Sequence, residues 1–194
     1  ELSKAVEAGK NKFVGYELPG RTLGVIGLGA IGVRVANAAL DLGMNVIGYD
    51  AKISVERAWE LHSGVQQARS LNDLLSRSDM VSLHVPLMDE TRGLISRDGI
   101  AKLPKGAVIL NFARDPIVDE DAVLDALAAG DLGCYVTDFP TRKVLGNDKV
   151  ITLPHLGAST NEAEVNCAIM VADNMRNYLE NGNIVYSVNF PEAV

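Results

Sequence analysis

Residues 22–33, TLGVIGLGAIGV, decide the fold. Thr22 to Gly27 is a short apolar run suited to a buried strand, and Ala30 to Leu42 reads as a helix packed on it. Between them Gly27, Gly29 and Gly32 match G-x-G-x-x-G. The pattern alone is weak, but here a strand precedes it and a helix follows it. Gly27 then permits the tight turn, Gly29 lets backbone approach a pyrophosphate, and Gly32 lets the helix lie close on the strand. Free N–H groups and the positive end of the helix dipole face the phosphates. Asp50 lies 18 residues beyond Gly32, at the end of the next strand. A carboxylate there accepts hydrogen bonds from a ribose 2′-hydroxyl and repels a 2′-phosphate. No arginine follows it, only Ala51 and Lys52, so the cofactor expected is NAD in preference to NADP.

Outward from this turn, short apolar runs alternate with helical stretches. Strands are expected at 45–49, 80–85, 107–112, 133–137 and 150–153, and helices at 54–62, 70–76, 119–129 and 160–181. Ser70 with an acid three residues on resembles a capping box, and Gly182 ends the last helix. That helix spaces Val165, Ala168, Ala172, Met175 and Leu179 as one apolar stripe. Strands separated by helices imply parallel crossovers, hence an α/β doubly wound parallel sheet of the Rossmann type, read as a single nucleotide-binding domain over 1–194.

Composition narrows the function classes. The chain has 194 residues, 47% hydrophobic, with a formal charge of −7, which excludes a disordered chain and argues against nucleic acid or an anionic membrane as partner. The apolar run from Leu23 to Val33 is far shorter than the roughly twenty residues that span a bilayer. Cys134 and Cys167 suit neither a disulfide framework nor a paired-cysteine metal site, so a reducing cytoplasm is the expected compartment. The three histidines do not cluster at metal-ligand spacing, and no metal is expected.

Two side chains stand out for chemistry. Arg114 follows the strand ending Asn111-Phe112, at the carboxyl edge where open α/β sheets bind ligands, and a guanidinium can grip a carboxylate bidentately. His155 follows Pro154 after the last strand, with Gly157 and Ala158 in the turn beyond it. An arginine to orient and a histidine to exchange a proton suffice beside a nicotinamide for 2-hydroxy-acid chemistry. On spacing alone, a surface arginine and a structural histidine explain them equally well. His84 ends a strand at the same edge and either lines the cofactor or is structural, while His62 reads as an exposed helical residue. Asp119-Glu120-Asp121 reads as favourable charge at a helix N-terminus.

GVIGLGAIG at 24–32, HVPL at 84–87, ETRGLI at 90–95, LNFAR at 110–114, VDEDAVLDAL at 118–127 and LPHLGAST at 153–160 resemble the D-isomer-specific 2-hydroxyacid dehydrogenases. YVTDFP at 135–140 and YLENGNIVYSVNFP at 178–191 resemble the branch acting on a phosphorylated 2-hydroxy acid in serine biosynthesis. The resemblance implies that Arg114 binds the substrate carboxylate and that His155 is the general acid/base. It places Ala30 and Ile31 at the pyrophosphate, Asp50 at the adenosine ribose, and His84, Val85 and Pro86 along the cofactor. Phe112, Ala113, Arg114, Asp138, His155, Gly157 and Ala158 fall around the cofactor's nicotinamide end. It further implies a homodimer, and a split substrate domain reached through an entry segment at 1–20 and an exit segment at 183–194, so that this chain alone binds NAD and turns over nothing. Two positions depart from the family. Thr141-Arg142-Lys143 stands where a glutamate usually pairs with the histidine, and Asp115-Pro116 replaces a glycine pair, setting an aspartate beside Arg114. The alternatives are another D-2-hydroxyacid dehydrogenase, such as a hydroxypyruvate reductase, or a catalytically silent NAD-sensing module.

Overall fold

A computed structural model describes residues 1–184 and Ser187, apart from the side chains of Lys12 and Phe13. The segments of the sequence reading at 185–186 and 188–194, including Asn189-Phe190-Pro191, lie outside the described residues. The chain forms two compact units, 1–154 and 155–194.

The first unit holds seven strands: β1 (Thr22–Ile26), β2 (Asn45–Tyr49), β3 (Gln66–Gln67), β4 (Met80–Leu83), β5 (Ala107–Asn111), β6 (Leu132–Thr137) and β7 (Val150–Thr152). Every pairing is parallel, in the order β3-β2-β1-β4-β5-β6-β7. The chain winds outward from β1 to one side and from β4 to the other, so the switch point lies between these two strands. Its helices are α1 (Leu2–Gly9), α2 (Gly32–Asp41), α3 (Val55–Glu60), α4 (Leu71–Arg77), α5 (Arg97–Ile100) and α6 (Glu120–Ala129).

Strand neighbours point to opposite faces, and here both faces are apolar, as a parallel sheet requires. Ile26, Ile47, Val81 and Ile109 join Leu74, Leu75, Val123 and Leu127 of α4 and α6 in one core. Val25, Val46, Met80 and Val108 join Val33, Ala36 and Ala39 of α2 in the other. Caps fix the helix starts. Ser54, Ser70, Ser96 and Asp119 each accept a backbone N–H three residues on, and at α4 Asp73 reaches back to the N–H of Arg69, one residue before the Ser70 cap, a variant of the capping box expected there. Gly130, left-handed at φ 75°, closes α6.

In the second unit the described element is α7 (Asn161–Asn181), capped by Thr160 and closed by Gly182 at φ 70°. None of its residues is buried. The sequence marks an apolar stripe along it, yet Val165, Met175 and Leu179 are exposed, as are Ile169, Met170 and Val171.

Candidate functional site

Because all seven strands are parallel, their carboxyl ends share one edge. Gly27 follows β1, Asp50 follows β2, His84 follows β4, Phe112 to Arg114 follow β5, and Asp138 follows β6. The topology therefore gathers on one edge residues that lie 111 positions apart in sequence, from Gly27 to Asp138.

A cavity of about 530 Å³ opens there, lined among others by Gly27, Gly29, Asp50, His84, Val85 and Pro86. Gly27 takes φ 89°, and a Cβ on it would meet the carbonyl oxygen of His84 at 2.6 Å. A Cβ on Gly32 would lie 1.8 Å from the carbonyl oxygen of Gly27, so only glycine lets α2 start against the end of β1. Gly29 is different: nothing lies within 4 Å of the position its Cβ would take. That open space, beside exposed Ala30 and Ile31 at the head of α2, fits a pyrophosphate approached by backbone N–H groups. Asp50 Oδ2 accepts from the N–H of Leu28 and Oδ1 from that of Lys52, both at 2.7 Å. The carboxylate is thereby tied to the glycine turn, and each oxygen retains a lone pair toward a ribose hydroxyl. The residues present fit a bound dinucleotide.

His84 stands behind the turn, half-buried, with Nε2 2.8 Å from the hydroxyl of buried Ser82. Burial lowers its pKa to about 4, so the imidazole is neutral at physiological pH. Thr91 was not anticipated from sequence. Its hydroxyl donates to the Pro86 carbonyl at 2.6 Å and accepts from the Met88 N–H at 2.8 Å, shaping the loop that walls the cavity. Its sequence signal was its place in the ETRGLI segment at 90–95, just after the Pro-Leu-Met-Asp turn. His62 is exposed, and its Nδ1 accepts from the Gly64 N–H at 3.0 Å, a local turn contact.

At the β5 end Asn111, fully buried, holds the turn that carries Arg114. Its Nδ2 donates to the Arg114 carbonyl at 3.0 Å and its Oδ1 accepts from the Ala113 N–H at 3.1 Å. Ala113 is buried, whereas Phe112 and Arg114 are exposed. Asp115, which the sequence sets beside Arg114, begins a 3-10 turn, and no ion pair joins the two. The Arg114 guanidinium instead lies over the ring of Phe139 at 4.8 Å, with Nη1 donating to the Ala113 carbonyl at 2.6 Å. Phe139 is the second residue that sequence reasoning missed.

The basic pair that replaces the family's glutamate is partly accounted for. Lys143 reaches Asp121 at 2.8 Å, and Thr141 donates to Glu120, which is buried at the start of α6. Of the acidic run 119–121, one residue thus caps the helix, one ties down Thr141 and one pairs Lys143. His155, Gly157 and Ala158 belong to the second unit, where all three are exposed in the segment leading to Thr160. Among the described residues, no group of three or more histidine, cysteine or acidic side chains could hold a metal ion. No helix there is long and apolar enough to cross a membrane.

Comparison with known proteins agrees with this geometry. A D-3-phosphoglycerate dehydrogenase of Archaeoglobus fulgidus is 37% identical over 98% of this chain and 38% of its own length. One from Haemophilus influenzae is 40% identical over 92% of this chain and 45% of that protein. The chain thus spans less than half the length of these curated relatives. Among solved structures, an NAD+-bound 3-phosphoglycerate dehydrogenase of Entamoeba histolytica superposes with a TM-score of 0.76 at 33% identity, covering 91% of this chain and 57% of that one. A D-mandelate dehydrogenase of Rhodotorula graminis gives 0.79 at 30% identity, covering 90% and 52%. The family model of the D-isomer specific 2-hydroxyacid dehydrogenase NAD binding domain matches residues 1–157, and the chain belongs to that family.

Proposed function

We propose that this chain is the NAD-binding part of a D-3-phosphoglycerate dehydrogenase, which oxidises the 2-hydroxyl of 3-phosphoglycerate to a ketone on the route to serine. The observation that carries the reading is the shared strand edge, where the glycine turn, Asp50 and Arg114 lie with the cavity between the first two. Similarity to relatives bearing that name supports the choice of substrate. The fold does not decide it, since a mandelate enzyme superposes as well as a phosphoglycerate enzyme.

In this reading Asp50 accepts hydrogen bonds from the adenosine ribose, and Ala30 and Ile31 offer N–H groups to the pyrophosphate. His84, Val85 and Pro86 line the cofactor, and Phe112, Ala113, Arg114, Asp138, His155, Gly157 and Ala158 surround the nicotinamide end. When bound, NAD supplies the acceptor for the hydride leaving carbon 2. Arg114 grips the substrate carboxylate through a bidentate fork that fixes carbon 2 relative to the ring. His155, as neutral imidazole, takes the hydroxyl proton, so the alcohol loses one hydride and one proton in total. The working unit is a homodimer in the cytoplasm.

A steady-state assay of the full-length protein with 3-phosphoglycerate and NAD, followed by NADH absorbance, tests the reading. Turnover with hydroxypyruvate or another 2-hydroxy acid pair alone would move the substrate assignment, and NAD binding without turnover would mark a silent module. His155→Ala is expected to lower kcat by roughly 100-fold or more. Near-normal turnover in that variant would remove His155 from the chemistry.

A further inference from the structure

Arg114 is exposed, and a free arginine side chain carries rotamer entropy that must be lost before its fork can meet a carboxylate. The structure removes that freedom from two directions. One face of the guanidinium lies against the Phe139 ring, at 4.8 Å, and Nη1 is tied to the Ala113 carbonyl at 2.6 Å. Nε and Nη2 make no hydrogen bond among the described residues, leaving donors for an incoming carboxylate.

Both partners of the stack are built into the ends of adjacent strands. The sheet register pairs Asn111 of β5 with Thr137 of β6, and both are fully buried. Asn111 clamps the backbone of Ala113 and Arg114. Thr137 Oγ1 accepts from the N–H of Phe139 at 3.1 Å, doing the same for the neighbouring turn. Tyr135, also fully buried, places its hydroxyl 3.3 Å from Asn111 Nδ2 and braces the pair from below. Two residues past Phe139, Thr141 donates to Glu120 Oε2, and Lys143 then pairs with Asp121 at 2.8 Å. Glu120 Oε1 is buried without a hydrogen-bond partner, so keeping this carboxylate inside costs stability. A surface loop with no task beyond connection needs no such anchor.

We propose that Phe139 is a positioning residue whose ring presets the plane of the Arg114 guanidinium for the carboxylate of a 2-hydroxy acid. The inference rests on the reading that Arg114 binds that carboxylate. It concerns orientation of the arginine and not cofactor binding, since the ring is not among the residues lining the cavity beside Asp50.

The test compares Phe139→Leu, which keeps bulk and removes the π face, with Phe139→Tyr, which keeps the face. A cation–π contact contributes about 0.5–2 kcal/mol, which corresponds to roughly 2- to 30-fold in affinity. In the full-length enzyme Phe139→Leu is expected to raise KM for the 2-hydroxy acid roughly tenfold, with NAD affinity unchanged and kcat within about threefold. Phe139→Tyr is expected to restore the wild-type KM, a rescue that a purely structural role for bulk does not require. Thr141→Val, which frees the loop from Glu120, is expected to move KM in the same direction by less. An unchanged KM in Phe139→Leu, or equal losses in the leucine and tyrosine variants, would overturn the proposal. So would KM and NAD affinity moving together. A second readout needs no turnover: the ring current of Phe139 shifts the Arg114 side-chain resonances in NMR spectra of this chain, and the shift is lost in Phe139→Leu and kept in Phe139→Tyr. A wild-type enzyme inactive on 2-hydroxy acids would overturn the parent reading and the substrate role with it. Absence of the ring-current shift in an active enzyme would overturn only the stack.

Discussion

Asp50 holds the glycine turn in the structure and meets the adenosine ribose in the proposed reading. Its oxygens pin the N–H groups of Leu28 and Lys52 at 2.7 Å, and in the proposed reading they also accept from a ribose hydroxyl. Asp50→Ala loses both, and a charge-assisted hydrogen bond contributes about 1.5–3 kcal/mol, so NAD is expected to bind at least roughly tenfold more weakly, by calorimetric titration. Discrimination against NADP should shrink with it, because the repelling charge is gone. Tighter binding of NADP than NAD by the unaltered chain would contradict the role given to Asp50. His84 makes a second prediction. Its pKa falls to about 4 in the folded chain against about 6.5 unfolded, because burial disfavours the cation. Between those values the unfolded state binds the proton and the folded state does not, so stability falls as pH drops from 6.5 toward 4. The loss amounts to about 3 kcal/mol in full, and urea midpoints across that range should show it flattened in His84→Asn. These residues were legible in the sequence because strand, turn and spacing fix their chemistry locally. Phe139 was not, since nothing local relates it to Arg114. Only the pairing of Asn111 with Thr137 brings the two turns side by side.

The elements that were legible are those with enough length to show a period. β2 runs from Asn45 to Tyr49 as its sequence suggests, bounded by Gly43 before and Asp50 after, and α6 starts and stops at its cap and its glycine. β3 is two glutamines and α5 is four residues containing a glycine, too short for any periodicity to register. They form because the neighbouring strand and the Ser96 cap supply what their own sequence lacks. The most demanding contact between elements is that of α2 with β1. Gly32→Ala would put a methyl group 1.8 Å from the Gly27 carbonyl oxygen, which is backbone and cannot swing aside. Overpacking usually costs about 1–3 kcal/mol, and this clash belongs at or beyond the upper end. An unfolding free energy from urea titration within about 1 kcal/mol of wild type would mean that α2 can retreat from β1 without loss. Weaker NAD binding should accompany the destabilisation, because the same retreat moves the N–H groups at Ala30 and Ile31.

At the scale of the whole molecule, the sequence determines the sheet more completely than it determines the surfaces that cover it. Both faces of β1, β2, β4 and β5 are apolar, so a parallel sheet with helices on each side follows directly. The stripe on α7 is equally regular, yet no residue of that helix is buried. A period reports that a face is apolar and is silent about what packs on it, which is why the helix was legible and its burial was not. The cavity between the glycine turn and Asp50 has the opposite character, since every residue lining it belongs to the first unit, 1–154. Binding there couples to the unfolding of the unit as a whole. A ligand at 100 times its dissociation constant stabilises the folded state by about 2.7 kcal/mol. For a chain of this size each kcal/mol moves Tm by roughly 2–4 °C, so saturating NAD should raise Tm by about 5–10 °C in a thermal scan of this chain. Asp50→Ala should reduce the rise at the same NAD concentration, and Arg114→Ala should reduce it less, because Arg114 lies outside that cavity. Equal losses in both variants would make Arg114 as important to the cofactor as Asp50 and withdraw its main assignment to the substrate.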